Sequence, residues 1–597
     1  MENLQKNESL PLWDLSAYYN GIDDPKIDAD ILEATNKSLE FEKRFRGQFI
    51  TNAETGSVLL ALKEFEEITL QAHKPIVFAQ NVQAVDSNNP ANGALLQKTM
   101  KAVMDIGSLL TFFTLELNNL PTEKLKDLSE ASQLSNYKHF FEKLIEIKSH
   151  RLSEKEEIIL QQKSLTSGHA FVRLFDEHQS SKKFNISLDG KIQQMNQSDI
   201  LDLMKDANRE RRRTASKAFS NALQEDLRLY TYILNTLIED KNITDKLTKF
   251  KTPEQSRHLD NDIPQSVVDT MVSVVSENFN IVENYYNNKK QWLGVEVLYE
   301  YDRYAPIFES EGRYTFEEAK KIVLESFNNF SAEFGRIAQL FFDNKWIHAP
   351  TISGKRGGAY CSGGTPDKHP LVLVNYKGRL DDVNTLAHEL GHGVNDYLMR
   401  DLNLLNFDTT LVMAETASVF AEMLVFDYLK EQIKDPKEKF ALHVLKVESM
   451  FATVFRQVSM HKFEQVLHQA RIDKGELSGD VINQQWMETQ TLMFGNSIKF
   501  SEGYKYWWSY IQHFYHSPFY VYSYAFGELL VLSLYAKYKQ EGQTFVPKYL
   551  ELMSSGVAAS PQDLLKPLGI DLNDRQFWQQ GVDMISELVE ETNKLRV

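Results

Sequence analysis

The sequence predicts a mostly α-helical fold, on three observations. Apolar residues recur at steps of three and four, helix-start signals recur with them, and strand signals are few. With 42% apolar and 25% charged residues, the 597-residue chain can bury a core that offsets its ordering entropy, so a disordered chain is excluded.

Taken in order, Val58, Leu62, Phe65 and Ile68 share one helical face. Ser153 with Glu156, and Thr315 with Glu318, have the spacing of a capping box. Thr252 before Pro253 and Ser560 before Pro561 each set a capping residue ahead of a proline suited to the first helical position. Three segments read as strands. Phe184–Leu188 alternates and runs into Asp189-Gly190, a hairpin turn pair. Val295–Tyr299 is the second and Leu371–Tyr376, bounded by Pro370 and Gly378, the third. The hairpin marks the expected boundary between an N-terminal helical domain, 1–195, and a larger catalytic domain, 196–597. No internal repeat or low-complexity linker interrupts this pattern.

Acids outnumber bases by 83 to 66, a formal charge of -17, which repels a phosphate backbone and excludes nucleic acid as the main partner. The local basic run Arg211-Arg212-Arg213, beside Arg209 and Glu210, reads as a solvated helix face. A single cysteine, Cys361, cannot close an internal disulfide and fits a reducing compartment. The first residues, Met1 to Asn7, carry no apolar run, and Leu529–Leu532 is far too short to span a bilayer. The expectation is a soluble, cytoplasmic protein with no membrane partner.

The chemistry concentrates in Leu386-Ala387-His388-Glu389-Leu390-Gly391-His392-Gly393. Histidines four apart on a helix project from one face and can chelate one ion, and Glu389 between them is placed to act on water rather than on the metal. Two imidazoles and a carboxylate suit zinc, although manganese or cobalt can bind such a set. A third histidine six residues past His392 is excluded, because Leu398 stands there and Asn395 occupies the glycine position of that longer motif. Glu415, the first glutamate after the motif, is the expected third ligand; Asp396 and Asp408 are the alternatives. Glu422, two turns further on, reads either as an acceptor holding a histidine ring or as a surface acid.

Two further segments carry candidates. The glycine-rich stretch Lys355–Gly364 lacks a phosphate-binding spacing and reads as a flexible rim, with the following strand offering an edge for peptide pairing, or as a plain surface loop. Cys361 within it reads as an inert thiol. The aromatic segment Tyr504–Tyr524 is mostly core, but an amide hydrolase needs hydrogen-bond donors for its oxyanion, and His513, Tyr520 and Tyr524 are the candidates there.

These residues together resemble the oligoendopeptidase F family of thimet-oligopeptidase-like zinc metallopeptidases. The resemblance rests on Thr385–His392, on Ala414-Glu415-Thr416-Ala417-Ser418, and on His513 followed by Pro518–Ala525; Trp13-Asp14-Leu15 and Leu152–Glu157 look like the family's N-terminal region. It implies a two-lobed, zincin-type helical body with a deep substrate channel and a small β-sheet beside the motif helix. It implies one Zn2+ per chain on His388, His392 and Glu415, with Glu389 as catalytic base and His513, Tyr524 and Tyr520 assisting the transition state. The substrates it implies are short unstructured oligopeptides, cut at internal bonds. Asn395 departs from the family pattern, standing where many members carry a histidine. A metallocarboxypeptidase of similar helical fold and a catalytically silent peptide-binding protein are the rival readings.

Overall fold

Helices carry most of the chain, as the periodicity predicts. The computed structural model describes residues 10–50, 53–188, 190–307 and 313–595. Val58, Leu62 and Ile68 are buried along the helix Thr55–Val85, with Phe65 half-buried beside them. Both capping boxes form. At Thr315 the backbone N–H donates to Glu318 Oε2 at 2.8 Å while Thr315 Oγ1 accepts from the Glu318 N–H at 3.2 Å. At Ser153 both the N–H and the hydroxyl donate to Glu156 Oε2, at 2.9 and 2.7 Å. Ser560 caps the helix Pro561–Leu565 by accepting from the Asp563 N–H. The start expected at Thr252-Pro253 differs: the helix there begins at Gln255. The Gln255 N–H closes a turn on the Thr252 carbonyl at 3.2 Å, with Pro253 in the position that presets such a turn.

The first strand prediction is met by the antiparallel pair β1 (Phe184–Leu188) and β2 (Lys191–Met195), in register from Phe184↔Met195 to Leu188↔Lys191. Phe184, Ile186 and Leu188 alternate into the core. Of the expected turn pair, Gly190 takes the left-handed φ of +77° that a tight hairpin asks for, and Asp189 lies outside the described residues. The second prediction fails. Val295–Tyr299 forms no strand, only a single bridge from Tyr299 to Lys499. Arg209 takes the Val297 carbonyl at 2.6 Å, so an acceptor that a ladder would need is already bonded to a side chain. The third shortens to β5 (Leu371–Leu373), the centre of a three-stranded sheet in the order β3 (Ile347–His348), β5, β4 (Tyr360–Ser362). β5 runs parallel to β3 and antiparallel to β4.

The chain forms two compact units, each assembled from three stretches. The first comprises 1–148, 312–432 and 537–571; the second comprises 149–311, 433–536 and 572–597. In the first unit, Phe41, Phe45, Phe49, Phe113 and Phe141 build a core among the N-terminal helices, and the small sheet packs against the helix Leu380–Met399. In the second, β1 and β2 pack with Phe219, Tyr230, Trp486 and Trp508 in a separate core. The expected boundary at 195/196 lies inside the second unit, because the chain leaves the first unit near 148 and returns to it at 312.

The basic run is not uniformly solvated. Arg212 is buried, its guanidinium 2.9 Å from the fully buried carboxylate of Asp302, which also pairs with Arg209. Arg211 and Arg213 instead pair at the surface with Asp206 and Glu210. No helix among the described residues is long and apolar enough to cross a membrane.

Candidate active site

The histidine pair stands on the helix Leu380–Met399. The chain enters it through Gly378, where φ is +79° and an added Cβ would lie 2.9 Å from the Tyr314 carbonyl oxygen, leaving no place for a side chain. Asp382 then fixes the first turn by accepting from the Lys377 and Arg379 N–H groups, both at 2.8 Å. Leu386, Ala387, Leu390 and Val394 bury one side of this helix, and the four-residue spacing puts His388 and His392 together one turn apart.

A second helix, Thr416–Gln432, crosses close to it. Gly391 makes that possible: a Cβ there would lie 2.7 Å from both the Ala417 carbonyl oxygen and Ser418 Cα. A short helix, Leu411–Ala414, ends immediately before Glu415, which links it to Thr416–Gln432. The crossing brings Glu415 Oε2 to 3.3 Å from His388 Nε2 and 3.4 Å from His392 Nε2, while the two Nε2 atoms are 3.3 Å apart. A tetrahedral ion with bonds of about 2.0–2.1 Å has ligand–ligand edges of about 3.3–3.4 Å, so this triangle has the size of one face of a zinc coordination sphere. These three residues are the group among the described residues whose donor atoms lie within 4.8 Å of one another.

The surroundings orient the donors. His388 Nδ1–H donates to Glu422 Oε1 at 2.7 Å, which turns Nε2 toward His392 and Glu415. Of the two readings of Glu422, the structure has it holding the ring. Ser418, which the sequence reading names only within the Ala414–Ser418 stretch and gives no role, donates its hydroxyl to Glu415 Oε2 at 2.7 Å. Asp396 and Asp408, the alternatives for the third position, turn elsewhere: Asp396 Oδ2 lies 3.6 Å from the Cys361 thiol, and Asp408 Oδ1 accepts from the Thr409 N–H. Asn395, the departure from the family pattern, is buried and ties this helix to the Met553 carbonyl at 2.7 Å, a packing role.

Burial and charge set the protonation of this cluster. For His388 burial is the largest influence and opposes the charged form, yet the bond to Glu422 and the charges of Glu422, Glu415 and Glu389 overcome it and raise the pKa to about 9. Glu415 is half-buried, and that desolvation raises it, but the bond to His392, the two imidazole charges and Ser418 hold it down at about 2. Glu389 goes the other way. Burial lifts its pKa, against the charges of His388 and His392 and a backbone bond from Cys361. The Cys361 thiol is pushed well up, by burial first and then by Asp396 and Glu389, consistent with an inert thiol.

The glycine-rich stretch is braced rather than loose. Lys355 Nζ donates to the carbonyls of His348, Pro350 and Val374 at 3.2, 2.7 and 2.6 Å, and Asn375 Nδ2 donates to those of Arg356 and Gly358. The edge expected on the strand after it is not available, because β5 is flanked on both sides by β3 and β4. β4, inside the glycine-rich stretch itself, is an outer strand of the sheet.

In the second unit the structure gathers His513, Tyr520 and Tyr524. His513 Nε2 lies 3.1 Å from Tyr524 Oη. The Tyr520 ring stacks on His513 at 5.7 Å and meets Tyr524 edge-on at 5.2 Å. Burial, with the charges of His516 and Arg456, lowers the His513 pKa. Their neighbours Trp507, Trp508, Phe514, Tyr515, Phe519 and Tyr522 are buried, as expected of an aromatic segment that is mostly core.

Comparison with known proteins identifies the family. The sequence model described as peptidase family M3 matches residues 202–584, and one described as Oligopeptidase F matches residues 116–184. An oligoendopeptidase F homolog of Lactococcus lactis subsp. lactis is 27% identical over 591 residues, covering 98% of this chain and 97% of its own. The oligopeptidase PepF of Bacillus subtilis is 25% identical over 577 residues, covering 94% and 85%. A crystal structure from Chlamydophila abortus superposes with a TM-score of 0.89 at 25% identity, covering 98% of each chain. That of oligoendopeptidase-F from Enterococcus faecium gives 0.71 at 21%, covering 96% of this chain and 98% of the other, a likeness of fold. With the M3 match extending over more than half of its length and around its paired histidines, the chain belongs to peptidase family M3.

Proposed function

We propose that this protein is a zinc-dependent endopeptidase that hydrolyses internal bonds of short, unstructured oligopeptides. The observation that carries the reading is the triangle of His388 Nε2, His392 Nε2 and Glu415 Oε2, with edges of 3.3 to 3.4 Å and Glu389 beside it. His388, His392 and Glu415 would hold zinc, which would supply Lewis acidity and would lower the pKa of water toward neutrality. Glu389 takes the proton of the attacking water and returns it to the leaving amine, a double duty that its raised pKa supports. Glu422 keeps His388 in the tautomer whose Nε2 is free to ligate. Tyr524, with His513 and Tyr520, is the set of donors we assign to the developing oxyanion. A cytoplasmic location goes with this reading, since cytosolic proteins seldom carry disulfides and this chain has one cysteine.

The names of the relatives, oligoendopeptidase F and oligopeptidase, support internal cleavage of oligopeptides over stepwise carboxypeptidase action. The test is Glu389→Gln together with a cleavage map on peptides of graded length. The variant is expected to retain its metal while peptide hydrolysis falls by about 10²-fold or more. The wild type is expected to release internal fragments. Full activity of the variant ends the mechanism, and sequential loss of single C-terminal residues ends the endopeptidase assignment.

A further inference from the structure

Phe519 is a bulky residue in the left-handed region, with φ +59°. A side chain of this kind adopts that backbone only where its surroundings impose it. The imposing surface is one face of the helix Arg456–Lys474. His461 and His468, one turn to either side of Glu464, take the Phe519 ring at centroid distances of 6.0 and 4.6 Å, and the ring is fully buried. Between them Glu464, 1% exposed, accepts the Phe519 N–H on Oε1 at 2.8 Å.

Downstream, the chain is clamped a second time. Tyr522 Oη accepts from Asn261 Nδ2 at 2.7 Å and lies 3.0 Å from His258 Nδ1, and Ser523 Oγ accepts from the same amide at 3.1 Å. The residues between and beyond these anchors, Tyr520 and Tyr524, are those that return onto His513.

We propose that Glu464 is a positioning residue: by accepting the Phe519 N–H it holds the left-handed turn that sets Tyr520 and Tyr524 against His513. The role depends on the reach of the acceptor and not on its charge. Burial pushes the Glu464 carboxyl up to about 8 against the pull of the Phe519 N–H, which favours the uncharged acid, and a glutamine keeps an uncharged acceptor oxygen of the same reach. This inference rests on the assignment of Tyr524 and His513 as oxyanion donors.

The experiment compares Glu464→Gln, which keeps the reach and removes the acidity, with Glu464→Asp, which keeps the acid and is one methylene too short. Both are measured for kcat and KM on a fluorogenic oligopeptide, for bound zinc, and for the imidazole 13C shift of His513. Glu464→Asp is expected to lose about 10- to 100-fold in kcat, with KM within about twofold, zinc retained and the His513 shift displaced. Glu464→Gln is expected to stay within about threefold of wild type with an unchanged shift. A Glu464→Gln that falls as far as Glu464→Asp, or a Glu464→Asp with wild-type kcat and shift, overturns the proposal. Tyr524→Phe separates the two ideas. Wild-type kcat in that variant ends the donor assignment, while the His513 shift in the two Glu464 variants still decides whether Glu464 positions the cluster.

Discussion

His388 is where this site is most sensitive to single groups, because one nitrogen faces an acid and the other faces the proposed metal. Removing the acid in Glu422→Ala frees the ring to rotate and weakens Nε2 as a donor. Zinc affinity, measured by competition with a chromogenic chelator, is expected to fall about 10- to 100-fold. The same pair gives a pH signature in the metal-free protein. The folded pKa of His388, about 9, lies above its ordinary value of 6.5. Protonated His388 therefore contributes stability in full below pH 6.5, and that contribution is lost as pH rises through 9. Thermal unfolding of the metal-free wild type from pH 6 to 9.5 is expected to show this decline, and Glu422→Gln to flatten it. Among the proposed oxyanion donors, Tyr524→Phe removes one hydroxyl from a half-buried ring. Its kcat is expected to drop about 10²- to 10³-fold with little change in KM, read from steady-state hydrolysis of one peptide.

Between elements, the crossing of Leu380–Met399 over Thr416–Gln432 is what turns a helical motif into a three-cornered site. Gly391 sits at the point of closest approach, and an added methyl would meet backbone at 2.7 Å on two atoms that cannot swing away. Gly391→Ala is therefore expected to lower stability by about 1–3 kcal/mol and to reduce bound zinc, because Glu415 immediately precedes the helix being pushed back. Chemical denaturation and metal analysis of the same preparation check both. A variant that binds zinc as the wild type does would show that Glu415 reaches the histidines without the close crossing. Gly393 faces a different neighbour, the ring of Phe341, so the two glycines of the motif serve two separate packings.

Across the whole molecule, all three proposed ligands belong to the first unit, within residues 312–432, and each unit has its own core. A ligand that binds only the folded site stabilises it by about 2.7 kcal/mol at a free concentration 100 times its dissociation constant. Hydrogen exchange with and without a chelator is expected to show amides of 380–432 losing protection on metal removal, with those in the β1–β2 hairpin unmoved. Equal loss in both regions would mean that the ion stabilises more than the unit that holds it.

What the sequence by itself determined was local and periodic. Helical spacing, capping boxes, the β1–β2 hairpin and the His388–His392 pair all depend on neighbours a few residues apart, where chain geometry leaves few choices. Val295–Tyr299 reads as a strand for the same local reasons, but a strand needs a partner, and Arg209 from another helix occupies the Val297 carbonyl. Arg212 reads as a solvated base until Asp302, distant in sequence, is folded beneath it. The sequence favoured Glu415 for the two imidazoles but left Asp396 and Asp408 open, and left Glu422 between two readings; the tertiary structure brings Glu415 to both rings and Glu422 to His388. It also decided where Phe519 is forced into its left-handed turn. Those outcomes depend on how closely two helices cross, and that distance is set by a glycine and the groups opposite it rather than by any pattern along one segment.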